Sequence, residues 1–327
     1  MTISRRKFSN LAGALTFGFG TSSSQIVSAQ AYPSRPVRFI VPFPPGGGTD
    51  FVARLLSEKF ALGQPMVVEN RGGAGGTIGT ELVARSEPDG HTILMVTGSH
   101  TTNLNIYPNL SYDTLKDFTP ITQTVQGNNG VVLLAHPSVP ANTLPQLIAL
   151  AKSKPGGISY GSTGSGQIAH LAMELLKFRG GFEAVHVPYK GTAPALQDLL
   201  AGHVQVAMFT QREMSYVRAG KLKALAVAGP QRMEDFPDLP TVAESGFPGF
   251  LAIGWHGLVV RAGTSPEIVA TLHKEFSRIL ALPDIRAKLK AQTLEPIAST
   301  PQAFDAYIKS EIVIWGDVIK RVGVKVD

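Results

Sequence analysis

Short apolar runs rich in β-branched residues alternate with amphipathic stretches along most of the chain. Residues 37–43 (VRFIVPF) predict a buried strand, followed by a Pro/Gly loop and a helix from about Asp50. Val52, Leu55, Leu56 and Phe60 give that helix one apolar face. The rhythm repeats with MVVEN, a glycine loop and TIGTELVARS, and again with HTILMVT, which ends near Gly98. A second series opens at residues 131–137 (VVLLAHP), continues through a helix at about 143–153, and includes ISYGSTG, QIAHLAMELLKF, AVHVPY, TAPALQDLLAG, VQVAMF and ALAVAG. After a Pro-rich connection at 236–248, the strand-like LAIGWHGLVV leads into predicted helices at 266–280, 283–292 and 301–322, each beginning at a proline, which a first helical turn tolerates. Strands feeding helices through loops predict a mostly parallel α/β sheet in each half.

Length and charge narrow the classes. A chain of 327 residues suits two domains of roughly 150 residues each. The opening segment, with Arg5, Arg6 and Lys7, a short apolar stretch and VSAQA, reads as a signal peptide over residues 1–31. Arg5 and Arg6 followed by Phe8 resemble the twin-arginine export motif. The apolar run at 8–20 is shorter than the roughly 18 to 20 residues of a membrane helix. Without its three basic residues the remainder carries 27 Lys plus Arg against 24 Asp plus Glu, a net +3. That is too little for a nucleic-acid partner, which needs a clustered basic face. With no cysteine, thiolate metal sites, cysteine nucleophiles and disulfides are all excluded.

The candidate chemistry lies in loops. PFPPGGGTD (42–50) and YGSTGSGQ (160–167) each precede a helix, where free backbone N–H groups and a partial positive charge suit an anion. Either loop alone is equally read as a tight turn, with Thr49 or Asp50 as a helix cap. RGGAGGTIG (71–79) lacks the third glycine of a dinucleotide fingerprint, since Ile78 stands there, and GSTGSG is followed by Gln167 and Ile168 where a phosphate loop needs Lys and Ser/Thr. No H-E-x-x-H helix occurs, and Ser162 and Ser165 have no base partner visible in sequence. His170 and Glu174 share a helix face without making a metal site. Trp255 and His256 read either as pocket lining or as core. No enzyme activity, metal or cofactor is therefore expected.

Together, YPSRPVRFIVPFPPGGGTD, VVENRGGAGGTIGTELVARSEPDGHTILM, SYDTLKDFTPI, YGSTGSGQIAHLAMELLK, VPYKGTAPALQDLLAGHV and WHGLVVRAGTSPEIV resemble the solute receptors of tripartite tricarboxylate transporters, the Bug or TctC-like family. The blocks span nearly the whole chain after residue 31. The resemblance implies a two-domain α/β periplasmic binding protein, a type II-like Venus flytrap with two crossover connections. Its domains are expected at 32–128 with 256–327, and at 129–255. It also implies a small carboxylate ligand, membrane permease subunits as partners and a monomer. A receptor serving a signalling ectodomain, or an exported enzyme on the same fold, are the alternatives. Carried over by motif, one ligand carboxylate meets Phe43, Gly47, Gly48, Thr49 and Asp50 on one side and Ser162, Thr163, Gly164 and Gln167 on the other, with His170 supporting the second loop. Ser99, His100, Asn103, Thr210, Trp255 and His256 are the candidates for the far end. Thr210 and Gln211 stand where relatives often carry an aspartate, which argues against an amino-acid ligand.

Overall fold

The computed structural model describes residues 32–324, so the expected signal segment lies outside the described residues. In the first half, strands β1 (Val37–Val41), β2 (Met66–Asn70), β3 (Thr92–Thr97) and β4 (Phe118–Gly127) alternate with helices α1 (Gly48–Glu58), α2 (Thr77–Ala84) and α3 (Gly98–Ile106). The middle of the chain supplies β5 (Val132–Ala135), α4 (Leu144–Ser153), β6 (Ser159–Ser162), α5 (Ile168–Gly180), β7 (Val185–Pro188), α6 (Thr192–Ala201), β8 (Val206–Phe209), α7 (Met214–Arg218) and β9 (Lys223–Val227). The remainder forms β10 (Trp255–Arg261), α8 (Pro266–Ala281), α9 (Pro283–Lys290), β11 (Leu294–Pro296) and α10 (Pro301–Val322).

Two sheets result, ordered β11-β4-β10-β3-β1-β2 and β7-β6-β8-β5-β9. The expectation of mostly parallel sheets needs correcting. β1 runs parallel to β2 and β3, and β6 to β7 and β8, but β10 is antiparallel to both its neighbours, β11 to β4, and β5 to both its neighbours. The cause is the path of the chain: it leaves the first sheet through β4, enters the second through β5, and returns through β10. Strands that carry a chain out of and back into a sheet need no right-handed helical crossover, so they insert antiparallel.

Side-chain alternation buries both faces of each sheet. On β1, Val37, Phe39 and Val41 pack beneath α1 and α8, while Ile40 joins Leu94, Trp255 and Phe304 on the other face. On β5, Leu133 and Ala135 face α4 and α5, whereas Val132 and Leu134 meet Ala195, Leu199 and Phe209. α10 ties the two halves together. Its Phe304 and Ile308 pack in the core of the first sheet, and its Trp315 and Ile319 in that of the second. Prolines do open α8, α9 and α10, with the Ser265 and Thr300 hydroxyls capping α8 and α10.

Candidate functional site

A cleft between the two sheets is built mainly from helix beginnings. α1, α5 and α6 start at loops 43–47, 163–167 and 190–191, and residues from each of the three loops, Thr163 and Gln167 from the second, line one cavity with about 810 Å³ of empty volume. None of these three helices has a side-chain cap on its first amides. α4, α8 and α10 are each capped by a Thr or Ser hydroxyl. Uncapped first-turn amides carry partial positive charge and unsatisfied donors, so three such ends facing one cleft form an anion-binding surface.

The two glycine loops are braced from below in different ways. In the first, Gly46 takes φ +86°, a conformation that favours glycine. Asp50 Oδ2 accepts from Gly46 N–H at 3.0 Å and from Arg54 Nε at 3.0 Å, while Oδ1 accepts from Asn70 Nδ2 at 2.9 Å. Asn70 also donates to the Phe43 carbonyl at 3.0 Å. Burial is the largest single influence on Asp50 and pushes its carboxyl upward, but these donors together hold it below the ordinary aspartate range.

In the second loop, Ser162 Oγ lies 2.7 Å from His186 Nε2 and accepts from Gly164 N–H at 3.4 Å. His170 Nδ1 accepts from Gly166 N–H at 3.1 Å, and the two imidazoles stack with centroids 4.0 Å apart. Burial drives His170 down to about 3, aided by His186 and Lys177; it drives His186 to about 4, with Glu174 opposing and Lys177 assisting. Both rings are neutral at pH 7. Gly166 is favoured by its φ of +79°, and an added Cβ would meet Ile106 Cδ1 at 2.8 Å, so that side chain would have to shift. The first half of the molecule contributes here, because Thr102 Oγ1 on α3 donates to the Gly166 carbonyl at 2.8 Å.

The sequence-based candidates therefore divide. Phe43, Gly47, Gly48, Thr49, Thr163, Gln167, Thr210, Trp255 and His256 line the cleft. Asp50, Ser162, Gly164 and His170 lie beneath it, with the two carboxylate oxygens and the His170 Nδ1 already committed to the loops. Ser99, His100 and Asn103 are buried within α3, which begins directly at the end of β3 and leaves only Thr97 and Gly98 facing the cleft. Neither nitrogen of His100 has a partner among the described residues, and its ring meets Phe118 edge-on. Trp255 is both lining and core: its Nε1 donates to Glu311 at 2.9 Å and its ring meets Phe304 and Tyr307 edge-on. His256 Nε2 lies 3.2 Å from Thr49 Oγ1, and burial lowers this histidine to about 4. Ser162 does have a histidine partner that sequence could not show, but it is 1% exposed and out of reach of a solute. His170 and Glu174 do not pair; Glu174 accepts from Tyr160 and Lys177.

Sequence reasoning missed the Lys190–Gly191–Thr192 turn, although glycine before an apolar-periodic stretch carried the same signal as the other loops. It also missed Glu213. No acid ends β8, yet the turn Gln211–Glu213 folds Glu213 back to Thr210 and into the cavity. Two cleft side chains, Gln167 and Gln211, have buried Nε2 groups with no partner among the described residues. A buried donor without an acceptor costs about 1–3 kcal/mol, which a bound solute could relieve.

These features define a solute receptor: a two-sheet α/β protein with an anion-attracting cleft between its sheets. The chain matches the tripartite tricarboxylate transporter family receptor over residues 52–324 and belongs to that family, whose members are periplasmic solute-binding receptors rather than enzymes. It is 38% identical to protein BugT of Bordetella pertussis over 91% of this chain and 93% of the relative. Two solved structures are similar to it. Rpa4515 of R. palustris with adipate has a TM-score of 0.83 at 34% identity, covering 90% of this chain and all of that one. MatC (Rpa3494) of Rhodopseudomonas palustris with bound malate has a TM-score of 0.82 at 34% identity, covering 88% of this chain and all of that one.

Proposed function

We propose that this chain captures a small organic carboxylate in its cleft and delivers it to the permease subunits of a tripartite tricarboxylate-type transporter, acting as a monomer after export by the twin-arginine route. The lobes that close on the solute are residues 32–128 with 256–327, and residues 129–255. One solute carboxylate sits among the amides that open α1, α5 and α6, with Thr49, Thr163 and Gln167 adding side-chain donors. Asp50, Ser162, Gly164 and His170 hold the loops in shape, and Lys190 at the rim supplies a positive charge.

The observation that carries this reading is the convergence of three uncapped helix starts on one cleft. Adipate and malate in the two related structures point to the same ligand class. Micromolar affinity corresponds to about −8 kcal/mol, enough to favour a closed state that the free protein seldom populates. Closure removes water from around the anion and strengthens its hydrogen bonds.

A thermal-shift screen of organic acids against neutral sugars and amines tests the reading. Carboxylates should raise the melting temperature in proportion to the logarithm of concentration, with no effect from sugars. Stabilisation by neutral solutes alone would contradict it.

A further inference from the structure

Behind the cleft lies a second chamber, with about 550 Å³ of empty volume, whose polar atoms the proposed capture leaves unused. Its wall includes Gln211 after β8, His256 on β10 and Gln292 before β11. Nε2 of Gln211, Nδ1 of His256 and Oε1 of Gln292 are all buried, and none has a hydrogen-bond partner among the described residues. They are one donor, one ring nitrogen that either gives or takes a hydrogen bond, and one acceptor.

His256 joins this chamber to the cleft. Along β10 it shares the sheet face of Leu258 and Val260, which pack in the core beneath α1 and α8, so its ring comes up under the start of α1. There its Nε2 lies 3.2 Å from Thr49 Oγ1, and both residues line the cleft. With burial lowering it to about 4, the ring is neutral at pH 7 and only one of its nitrogens carries a proton.

Hydrogen-bond accounting identifies that nitrogen. A carboxylate offers only acceptors, so a Thr49 hydroxyl that meets one gives its proton forward. Thr49 Oγ1 is then left to accept, which requires Nε2–H on His256. Nδ1 in turn needs a donor, and the unpartnered Gln211 amide on the same chamber wall is one, directly or through a bridging water. Gln292 Oε1 offers the converse, an acceptor for Nδ1–H, so the chamber serves either tautomer and the group facing Thr49 decides between them.

We propose that His256 is a positioning residue for the solute: with a carboxylate bound, its Nε2–H holds the Thr49 oxygen from behind and aims the Thr49 proton into the cleft, while its Nδ1 accepts from Gln211. This rests on the carboxylate reading above. His256 acts through Thr49 rather than on the solute, and the chamber behind the cleft is what frees its proton for that task.

Histidine ring nitrogen NMR spectra of the wild type at pH 7, assigned through the backbone, and calorimetric titrations with acetate, malate, adipate and citrate test the proposal. In the complex with whichever acid binds, His256 should show a protonated Nε2 and a bare Nδ1. Thr49→Val and His256→Leu should each weaken binding about tenfold, and the double variant should bind no more weakly than Thr49→Val alone, because the histidine acts only through the hydroxyl. His256→Gln keeps an N–H within reach of Thr49 and should stay within about threefold of wild type. Losses that add in the double variant, or wild-type affinity in His256→Leu, would overturn the positioning role. Should a variant not fold, the wild-type ring spectrum decides alone. If an acid binds with Nδ1 protonated, the relay falls and carboxylate capture stands; if none of the four acids binds, both fall.

Discussion

The two glycine loops face the same cleft but are held by opposite chemistry. Loop 43–50 hangs on a charged brace, the Asp50 carboxylate with Arg54, Asn70 and the Gly46 amide. Loop 162–170 hangs on neutral groups, His170 beneath Gly166 and the Ser162–His186 pair beneath Gly164. The charged brace lies near the surface, with the Arg54 side chain 56% exposed, so water helps to solvate it. The second brace is stacked between Tyr160 and α5, where imidazolium ions would be poorly solvated. Amides can therefore be presented to an anion by either chemistry, but the two loops should fail under different conditions.

The largest expected effect comes from Asp50→Ala, which leaves the Gly46 amide and Asn70 without their acceptor. It should cost about 3 kcal/mol in denaturant unfolding. A cost below about 1 kcal/mol would remove the carboxylate as the brace of the first loop.

Acid should separate the loops next. His170 has a folded pKa of about 3 against an ordinary value near 6.5, so below 6.5 the unfolded chain binds the extra proton. Its contribution is complete above pH 6.5 and declines as pH falls through that window, by about 2.5 kcal/mol by pH 4.5. Asp50 is lowered, so its contribution is complete above about pH 4 and declines only below it. In urea unfolding at pH 7, 5.5 and 4.5, the stability difference between wild type and His170→Gln should shrink steadily, while that between wild type and Asp50→Asn stays constant. Parallel behaviour of the two variants would erase the distinction between the loops.

Much of this was legible in the chain and some was not, for physical reasons. Prolines 266, 283 and 301 opened the predicted helices because a first turn needs no N–H there. The glycine loops were visible because close approach and positive φ leave few other residues possible. β4 escaped notice because Pro120 argues against a strand. It is accommodated where the β4–β10 register shifts between Leu258 and Val259. α3 was hidden by its composition, Ser99, Thr101, Thr102 and Asn103 being turn-like in isolation and helical only under tertiary packing. Which loop residues face the solute and which face the protein depends on long-range partners such as Asn70 for Asp50 and His186 for Ser162, and spacing cannot show these.

Two smaller effects sharpen the comparison. Thr163→Ala, at the cleft face of the second loop, should weaken carboxylate binding by about 1–2 kcal/mol in calorimetry with little change in stability. Ser162→Ala, beneath the same loop, should reverse that pattern, lowering stability by about 1 kcal/mol in thermal unfolding. Equal effects on both properties would mean that the lining and bracing roles are not separate.

The most direct test of the central claim follows backbone amides by two-dimensional NMR as a carboxylate, such as malate or adipate, is titrated in. The account predicts that the amides of Gly48 and Thr49, of Ile168 and Ala169, and of Thr192 and Ala193 move together with one dissociation constant, whereas the capped starts of α4, α8 and α10 stay still. Shifts confined to one helix start, or greatest at the capped ends, would contradict it.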